Sequence, residues 1–223
     1  MTRLLLALIA LSLSCAACSS EPAPAWQNEG VAQLANFMQR YLEGEDRLAN
    51  IHFEKAIEHI SKTGDPTLVG RLHLTRCALE RAALIDTSCE AAARYAGDPG
   101  NDAYRAQIAA GTADRKVLPP QYRDLDAAFA ERSVAKVNAA LGDIDDPLAR
   151  CIGAGVAVAR DLFDAATLEL AARTASEQGW KRPLTAYLTK LRELYAARGD
   201  RQKEQETQRR LDIVSGTGGA KSE

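Results

Sequence analysis

Five cysteines have the most direct covalent chemistry in this chain, and they fall into two groups. Cys15 and Cys18 lie close to the amino terminus, whereas Cys77, Cys89 and Cys151 lie in the body of the chain. The reactivity of a thiol depends on the charge and exposure of its surroundings. Because the two groups have different neighbours, they predict different chemistry.

The segment around Cys18 has the three parts of a secretory signal. Arg3 is followed by an apolar run over residues 4–13 and then by the small residues Ala16 and Ala17. The apolar run is too short to cross a bilayer, because a spanning helix takes about 20 apolar residues. A cysteine directly after two alanines resembles the lipobox of bacterial lipoproteins.

The resemblance to lipoproteins implies a covalent lipid anchor. In that family the signal is cut before the cysteine, whose thiol and amine are both acylated. It implies a signal peptide over residues 1–17, lipid attachment at Cys18, and a lipidated amino terminus and tether over residues 18–27. Cys15 is the rival attachment residue, although its preceding residues fit less well than two alanines. Plain secretion, with cleavage after residues 23–25, is the alternative to a lipid anchor.

The residue that follows Cys18 bears on location. It is Ser19 rather than Asp. By resemblance to the sorting of Gram-negative lipoproteins, this favours the outer membrane, with the protein facing the periplasm. Two or more acyl chains, at about 0.8 kcal/mol per buried methylene, would hold the protein stably on that membrane.

The body of the chain has the composition of a helical protein. Ala, Leu, Glu, Lys, Arg and Gln dominate, while aromatic residues make up only 5% of the 223 residues; these abundant types favour helices. We expect one all-α domain over residues 28–214, with antiparallel helical hairpins stacked as a short α-solenoid or irregular bundle. The Gly-rich residues 215–223 predict a disordered tail. A net charge of −2 gives no basic surface for a nucleic acid partner.

Turn signals mark where these helices begin. Asp65 before Pro66 and Asp146 before Pro147 predict two capped helix starts. Residues 87–90, Thr-Ser-Cys-Glu, predict a capping box that opens another helix. Residues 98–101, Asp-Pro-Gly-Asn, predict a turn ahead of a short helix.

Two resemblances cover parts of this body. Residues 184–214 resemble a degenerate tetratricopeptide unit, which implies a helical surface that binds another protein. Residues 66–128, with Leu74-Thr75-Arg76-Cys77-Ala78 and Cys89, resemble an uncharacterised group of proteobacterial helical lipoproteins. That group implies no known activity.

The three inner cysteines predict one disulfide in an oxidising compartment. Cys77 and Cys89 are the local choice, but sequence leaves the pairing with Cys151 open. If both lay in regular helices that turn near Asp86, their Cα atoms would be offset by about 9 Å. Bridged Cα atoms are usually about 4.4–6.8 Å apart. The local pair therefore requires the first helix to end early.

Other polar residues give weak catalytic or metal-binding signals. His52 and His59 are two helical turns apart, but a structural zinc takes about four ligands and the nearby sequence supplies no third. Two acidic pairs, Asp145 with Asp146 and Asp161 with Asp164, are interpreted as helix caps. We therefore expect no catalytic residue, cofactor site or metal site.

These observations favour a non-enzymatic lipoprotein. We expect a membrane-anchored periplasmic protein that acts as an interaction or assembly scaffold for another envelope protein. The alternative is a cell-envelope enzyme, for example a cell-wall glycan hydrolase with an acidic active site that has no recognisable motif.

Overall fold

The computed structural model describes residues 24–111 and 113–217, and within them the only regular secondary structure is helical. The all-α prediction is therefore confirmed. The predicted signal peptide, Cys15, Cys18, Ser19 and residues 218–223 of the predicted tail lie outside the described residues. No helix in the described part of the chain is long and apolar enough to cross a membrane.

Eleven α-helices and one 3-10 turn follow one another in the described residues. They are α1 (Ala25–Glu43), α2 (Asp46–Ser61), α3 (Pro66–Ala82), α4 (Glu90–Ala93), α5 (Pro99–Ile108), the 3-10 turn (Pro120–Tyr122), α6 (Arg123–Ala130), α7 (Val134–Gly142), α8 (Pro147–Ala159), α9 (Ala165–Glu177), α10 (Lys181–Ala197) and α11 (Arg201–Ser215). Sequential helices pair as hairpins, most extensively α1 with α2, α9 with α10 and α10 with α11.

Aspartate caps start several of these helices. The side chains of Asp65 and Asp146 accept hydrogen bonds from backbone N–H groups in the first turns of α3 and α8, so both predicted starts are confirmed. Asp98 does the same for α5, with Pro99 at the first helical position. The prediction of a separate turn over residues 98–101 is therefore wrong, because Asp-Pro there already begins the helix.

The hydrophobic interior divides into two clusters that meet at α3. The main core contains buried residues from α3 to α11, many of them alanines. The N-terminal core is built from α1, α2 and α3: Phe37, Tyr41, Leu42, Ala49, Phe53, Ala56, Ile60, Val69, Leu72 and Leu79. Alternate faces of α3 thus belong to different cores, which makes it the element that joins them.

Helix α8 lies at the centre of the main core, where its backbone closely approaches α3. An added Cβ at Gly155 would lie 2.0 Å from the carbonyl oxygen of Arg81. The guanidinium of Arg81 is buried as well, and its Nε donates to the Ile108 carbonyl oxygen at 2.8 Å. Only glycine permits this approach between two helix backbones.

Aromatic rings hold the N-terminal core together. Phe37 lies 4.8 Å from Phe53 and 5.9 Å from Tyr41, measured between ring centroids. His73 continues the series, 5.6 Å from Phe53 and 5.5 Å from Tyr95. Tilted and offset rings at these distances are favourable beyond the area that they bury.

Candidate functional site

The last three helices form an open groove. Helices α9 and α11 both pack antiparallel to α10, so they run parallel to each other on either side of it. Leu191 and Tyr195 of α10 form the floor. The groove encloses a cavity of about 470 Å³, within the range of ligand-binding clefts.

Charged side chains of both signs line the two walls of this groove. The α9 wall carries Glu169, Arg173 and Glu177, and the α11 wall carries Lys203, Glu206 and Arg210. Along each wall the sign alternates from one helical turn to the next. The groove as a whole therefore presents three acidic and three basic groups, with no net charge.

Contacts with Tyr195 show how the two walls are aligned. Its hydroxyl donates a hydrogen bond to a carboxylate oxygen of Glu169. The Lys203 ammonium lies 5.1 Å from the centroid of the same ring. Glu169 and Lys203 therefore flank Tyr195 at one level, and opposite charges face each other there.

The same alignment continues along the groove, because the two walls run parallel. Counted from Glu169 and Lys203, Arg173 and Glu206 occupy the next helical turn of their walls, and Glu177 and Arg210 occupy the turn after that. Each of these levels therefore carries opposite charges on the two walls, and successive levels are about 4.5–6 Å apart, from three or four residues at a rise of about 1.5 Å per residue.

None of the six charged side chains forms an ion pair within 4.0 Å in the described part of the chain. The two walls are therefore not joined by direct ion pairs, and an open space of about 470 Å³ lies between them. Same-side residues of an extended peptide are about 6.6 Å apart. That spacing is close to the separation of the levels, so the groove suits an extended chain.

The chemistry available at Tyr195 is that of a hydrogen-bond donor. Burial raises the pKa of the Tyr195 hydroxyl, and the hydrogen bond to Glu169 and the charge of that carboxylate raise it further. At neutral pH the phenol keeps its proton. Tyr195 therefore positions Glu169 on the groove wall.

Comparisons with known proteins do not place this chain in a family. No protein-family model, no curated protein and no solved structure matches it. The interpretation of the groove rests on its own geometry.

The structure joins Cys77 and Cys89 in a disulfide, with their Cα atoms 5.5 Å apart. Helix α3 ends at Ala82, and Leu84 has a positive φ of 57°, so the chain turns back before Asp86. This early helix end removes the offset expected for two regular helices. Cys151 is a buried free thiol, and burial raises its pKa to about 12.

The capping box predicted over residues 87–90 is wrong. Cys89 has a positive φ of 56°, and it precedes a helix of only four residues with no side-chain cap. The Thr87 hydroxyl oxygen accepts from the Cys89 N–H at 3.4 Å and lies 3.4 Å from the Cys77 sulfur. Cys89, bonded to Cys77, thus has a left-handed backbone conformation that a regular helix start does not use.

The two histidines each contact α1 separately. His52 Nδ1 lies 2.7 Å from the Gln33 side-chain oxygen, and His59 Nδ1 lies 3.0 Å from a Glu29 carboxylate oxygen. The described residues contain no group of three or more potential His, Cys, Asp or Glu metal ligands.

The acidic pairs divide between caps and other roles. Asp146 caps α8, and Asp164 forms a capping box with Thr167 at the start of α9, so these two caps are confirmed. Asp161 does not cap, because it follows the end of α8 with a positive φ of 53°. Asp145 is exposed and makes no cap hydrogen bond. The interpretation of all four as caps is therefore wrong for Asp161 and Asp145.

The groove is not predicted by the sequence, although the charge pattern of one of its walls is visible there. Glu169, Arg173 and Glu177 alternate in sign at spacings of four residues, which places them on one face of a helix. Such a face is usually stabilised by ion pairs along the same helix. Only the structure shows that these side chains face a second charged wall instead.

Proposed function

We propose that this protein is a non-enzymatic interaction protein that binds an extended peptide segment of a partner in the groove between α9 and α11. The alignment of opposite charges across the groove without direct pairing supports this proposal. A bound peptide chain would supply the missing partners on both sides. The apolar floor of Leu191 and Tyr195 would contact its backbone and short side chains.

The wall charges define the peptide that fits best. The peptide side chains that face α9 should be positive, negative and positive in order, and those that face α11 should be negative, positive and negative. In the hexapeptide Glu-Lys-Lys-Glu-Glu-Lys, the charges alternate along each side of the extended chain. This alternating peptide satisfies both series when its odd residues face α11. The hexapeptide Glu-Glu-Glu-Lys-Lys-Lys has the same composition but places like charges opposite each other at four of the six positions in this register, and at two positions when its odd residues face α9 instead.

Binding of these two peptides to the full chain, measured by fluorescence anisotropy, tests the proposal. Exposed ion pairs contribute about 0.2–1 kcal/mol each, so we expect roughly tenfold tighter binding of the alternating peptide. The difference should shrink at high salt, because exposed charges are screened. Equal affinity for both peptides, or binding of neither, would contradict the proposal.

A charge exchange in the middle of the groove gives a sharper test. The double variant Arg173→Glu with Glu206→Arg keeps the net charge but exchanges the charges of the two middle wall residues. Like charges would then face the middle residues of the alternating peptide, so its preference over the second peptide should be reduced. The matched control exchanges Lys190 and Glu193, an ion pair on α10 that does not line the groove. The control should bind both peptides as the unchanged protein does.

We further propose that the protein acts in the bacterial cell envelope, held on the outer membrane by lipid at Cys18. The support for this part is the signal and lipobox pattern of the sequence. Cys18→Ala should abolish lipid labelling and recovery of the protein with membranes, whereas Cys15→Ala should leave both unchanged. Retention of lipid in Cys18→Ala would exclude the assignment.

Photo-crosslinking in cells connects the two parts of the proposal. A crosslinking amino acid in place of Glu206 faces the groove, whereas one in place of the neighbouring exposed residue Gln205 does not line it. We expect one envelope protein to be captured only from position 206, and to be lost when Arg173→Glu is combined with the crosslinking residue at that position. The rival activity, glycan hydrolysis, predicts solubilised fragments when the protein digests purified sacculi.

A further inference from the structure

A second cavity lies where the two cores meet. It has a volume of about 230 Å³, is open to solvent, and is lined by α1, α3, α5, the 3-10 turn and α8. Met38 and Leu79 line it from the N-terminal core, and Ile152 lines it from the main core. Leu148 packs against both cores. The walls are therefore mostly aliphatic and come from distant parts of the chain.

Two stacked tyrosines form one side of this cavity. The ring centroids of Tyr104 and Tyr122 are 5.4 Å apart with an angle of 21° between the planes, and their hydroxyl oxygens are 3.3 Å apart. Burial raises the pKa of Tyr104 to about 12 and that of Tyr122 well above its ordinary value. Both therefore remain neutral phenols at the side of the cavity.

The lining of this cavity carries a single charge, the carboxylate of Asp146. One of its oxygens, Oδ1, accepts the Ala149 N–H at 2.6 Å and caps α8. The second oxygen makes no hydrogen bond within the described residues. The cavity thus combines aliphatic walls, two aromatic rings and one anionic oxygen that is free to accept.

We propose that this cavity binds a small amphiphilic amine, with its ammonium group on Asp146 and its apolar part against Met38 and Leu148. A cation is favoured both by the carboxylate and by the π faces of tyrosines. A carboxylate ligand would be repelled by Asp146. The volume lies below the ~300–1,000 Å³ typical of drug-sized ligands, so the amine carries one ring or a short chain.

Binding at this place would also join the two cores. A ligand that binds only the folded protein raises the free energy of unfolding, by about 2.7 kcal/mol at one hundred times its dissociation constant. Because the cavity is lined from both cores, its ligand should protect α1 and α8 together against hydrogen exchange. This effect does not depend on the groove between α9 and α11.

Three probes that share a phenylethyl group separate the contribution of the ligand's charge from that of its apolar part. They are 2-phenylethylamine, 2-phenylethanol and 3-phenylpropionate, with positive, neutral and negative ends. We expect the amine to bind the full chain at least tenfold more tightly than the alcohol in calorimetric titration, and the carboxylate to bind more weakly still. Equal binding of amine and alcohol, or binding of none of the three, would overturn the proposal.

The variant Asp146→Asn tests whether the ammonium group binds to the Asp146 carboxylate. Asn caps helices about as well as Asp, so the fold should be retained while the charge is removed. This variant should bind the amine no more tightly than the alcohol. The matched control is Asp65→Asn, which changes an equivalent Asp-Pro cap on α3 that does not line the cavity. Unchanged amine affinity in Asp146→Asn, or an equal loss in Asp65→Asn, would contradict the assignment.

Discussion

The N-terminal core and the main core are both built from helices, yet different contacts hold them together. In the N-terminal core, large aromatic side chains fill the space between α1, α2 and α3. In the main core, small residues let helix backbones approach closely, as Gly155 does against Arg81. Side chains can change rotamer to relieve a clash, whereas two helix backbones in contact cannot. We therefore expect the two cores to respond differently to the same substitution.

Helix starts show the same difference. Pro24 and Glu45 precede α1 and α2 and provide no side-chain cap. Of the nine other described helices, α4, α6 and α10 also lack a side-chain cap, whereas six follow a residue whose side chain accepts a backbone hydrogen bond: Asp65, Asp98, Ser133, Asp146, Asp164 and Asp200. The N-terminal hairpin thus relies on packing, and the rest of the molecule combines packing with local hydrogen bonds.

The largest difference between the cores should come from a glycine substitution. Gly155→Ala places a Cβ 2.0 Å from the Arg81 carbonyl oxygen, so we expect a loss of about 3 kcal/mol or more in the free energy of unfolding. In α1, the Cβ added by Gly30→Ala would lie 2.7 Å from Cδ1 and 3.0 Å from Cγ1 of the Ile60 side chain, and 3.5 Å from the His59 Cβ. The Ile60 side chain can rotate, and alanine favours the helix by about 1 kcal/mol, so we expect a change below about 1 kcal/mol.

Urea denaturation of both glycine variants measures this pair of effects. Each substitution adds one methyl group in the middle of a helix, so the two variants form a matched pair. Similar losses in the two cores would show that backbone contact between α3 and α8 is not the limiting feature.

The sequence predicts many helix starts because they depend on local residues. Asp65, Asp146 and Asp164 each cap through a side chain and a backbone N–H only two or three residues away. Such contacts need no tertiary structure. The same reasoning fails at residues 87–90, where the disulfide to Cys77 and not the local sequence fixes the backbone of Cys89.

The two candidate sites were beyond sequence analysis for a related reason. The groove depends on α9 and α11 being parallel across α10, and the second cavity collects residues as distant as Met38 and Ile152. Spacing along one helix places side chains on a common face but does not say what that face meets. Tertiary packing supplies that information.

The disulfide should be the next largest contributor, and it acts on the main core. Removing it with Cys77→Ala and Cys89→Ala should cost about 2–3 kcal/mol, chiefly because the unfolded chain gains freedom. Urea denaturation with and without a reducing agent measures the effect. Reduction should destabilise the unchanged protein by a similar amount and leave the double variant unaffected. Destabilisation of the double variant by the reductant would contradict this explanation.

A smaller effect is expected at the contact that ties α10 to the N-terminal core. Arg182 donates through Nε to the Tyr41 carbonyl oxygen at 2.7 Å, lies 4.3 Å over the Tyr41 ring, and pairs with Asp46. Arg182→Gln should cost about 1–2 kcal/mol. Hydrogen exchange should become faster in α1 and α2, with little change in α8.

The matched control for Arg182 is another arginine of the same region. Arg40 pairs with Glu43 and Glu45 at the surface, at 3.1 and 3.0 Å. Because exposed pairs contribute little, Arg40→Gln should change stability by less than about 1 kcal/mol. If Arg40→Gln accelerated exchange in α1 and α2 as much as Arg182→Gln, the contact to α10 would not be what stabilises the N-terminal hairpin.

The smallest effect should appear in acid and only outside the N-terminal hairpin. Burial raises the pKa of Asp164, but hydrogen bonds from Asn138, Thr167 and the Ala166 backbone lower it more in sum, so the net shift is downward. A carboxyl with a lowered folded pKa adds stability above its unfolded pKa of about 3.9, and this contribution disappears as the pH falls through the folded value.

Asp164→Asn keeps a capping side chain but removes the titration. The unchanged protein should therefore lose its advantage over this variant between about pH 5 and its folded pKa, by less than about 1 kcal/mol because the carboxyl is only partly buried. Urea denaturation across that range measures the difference, and a stability gap that stays constant down to pH 3 would show that the ionised cap does not contribute.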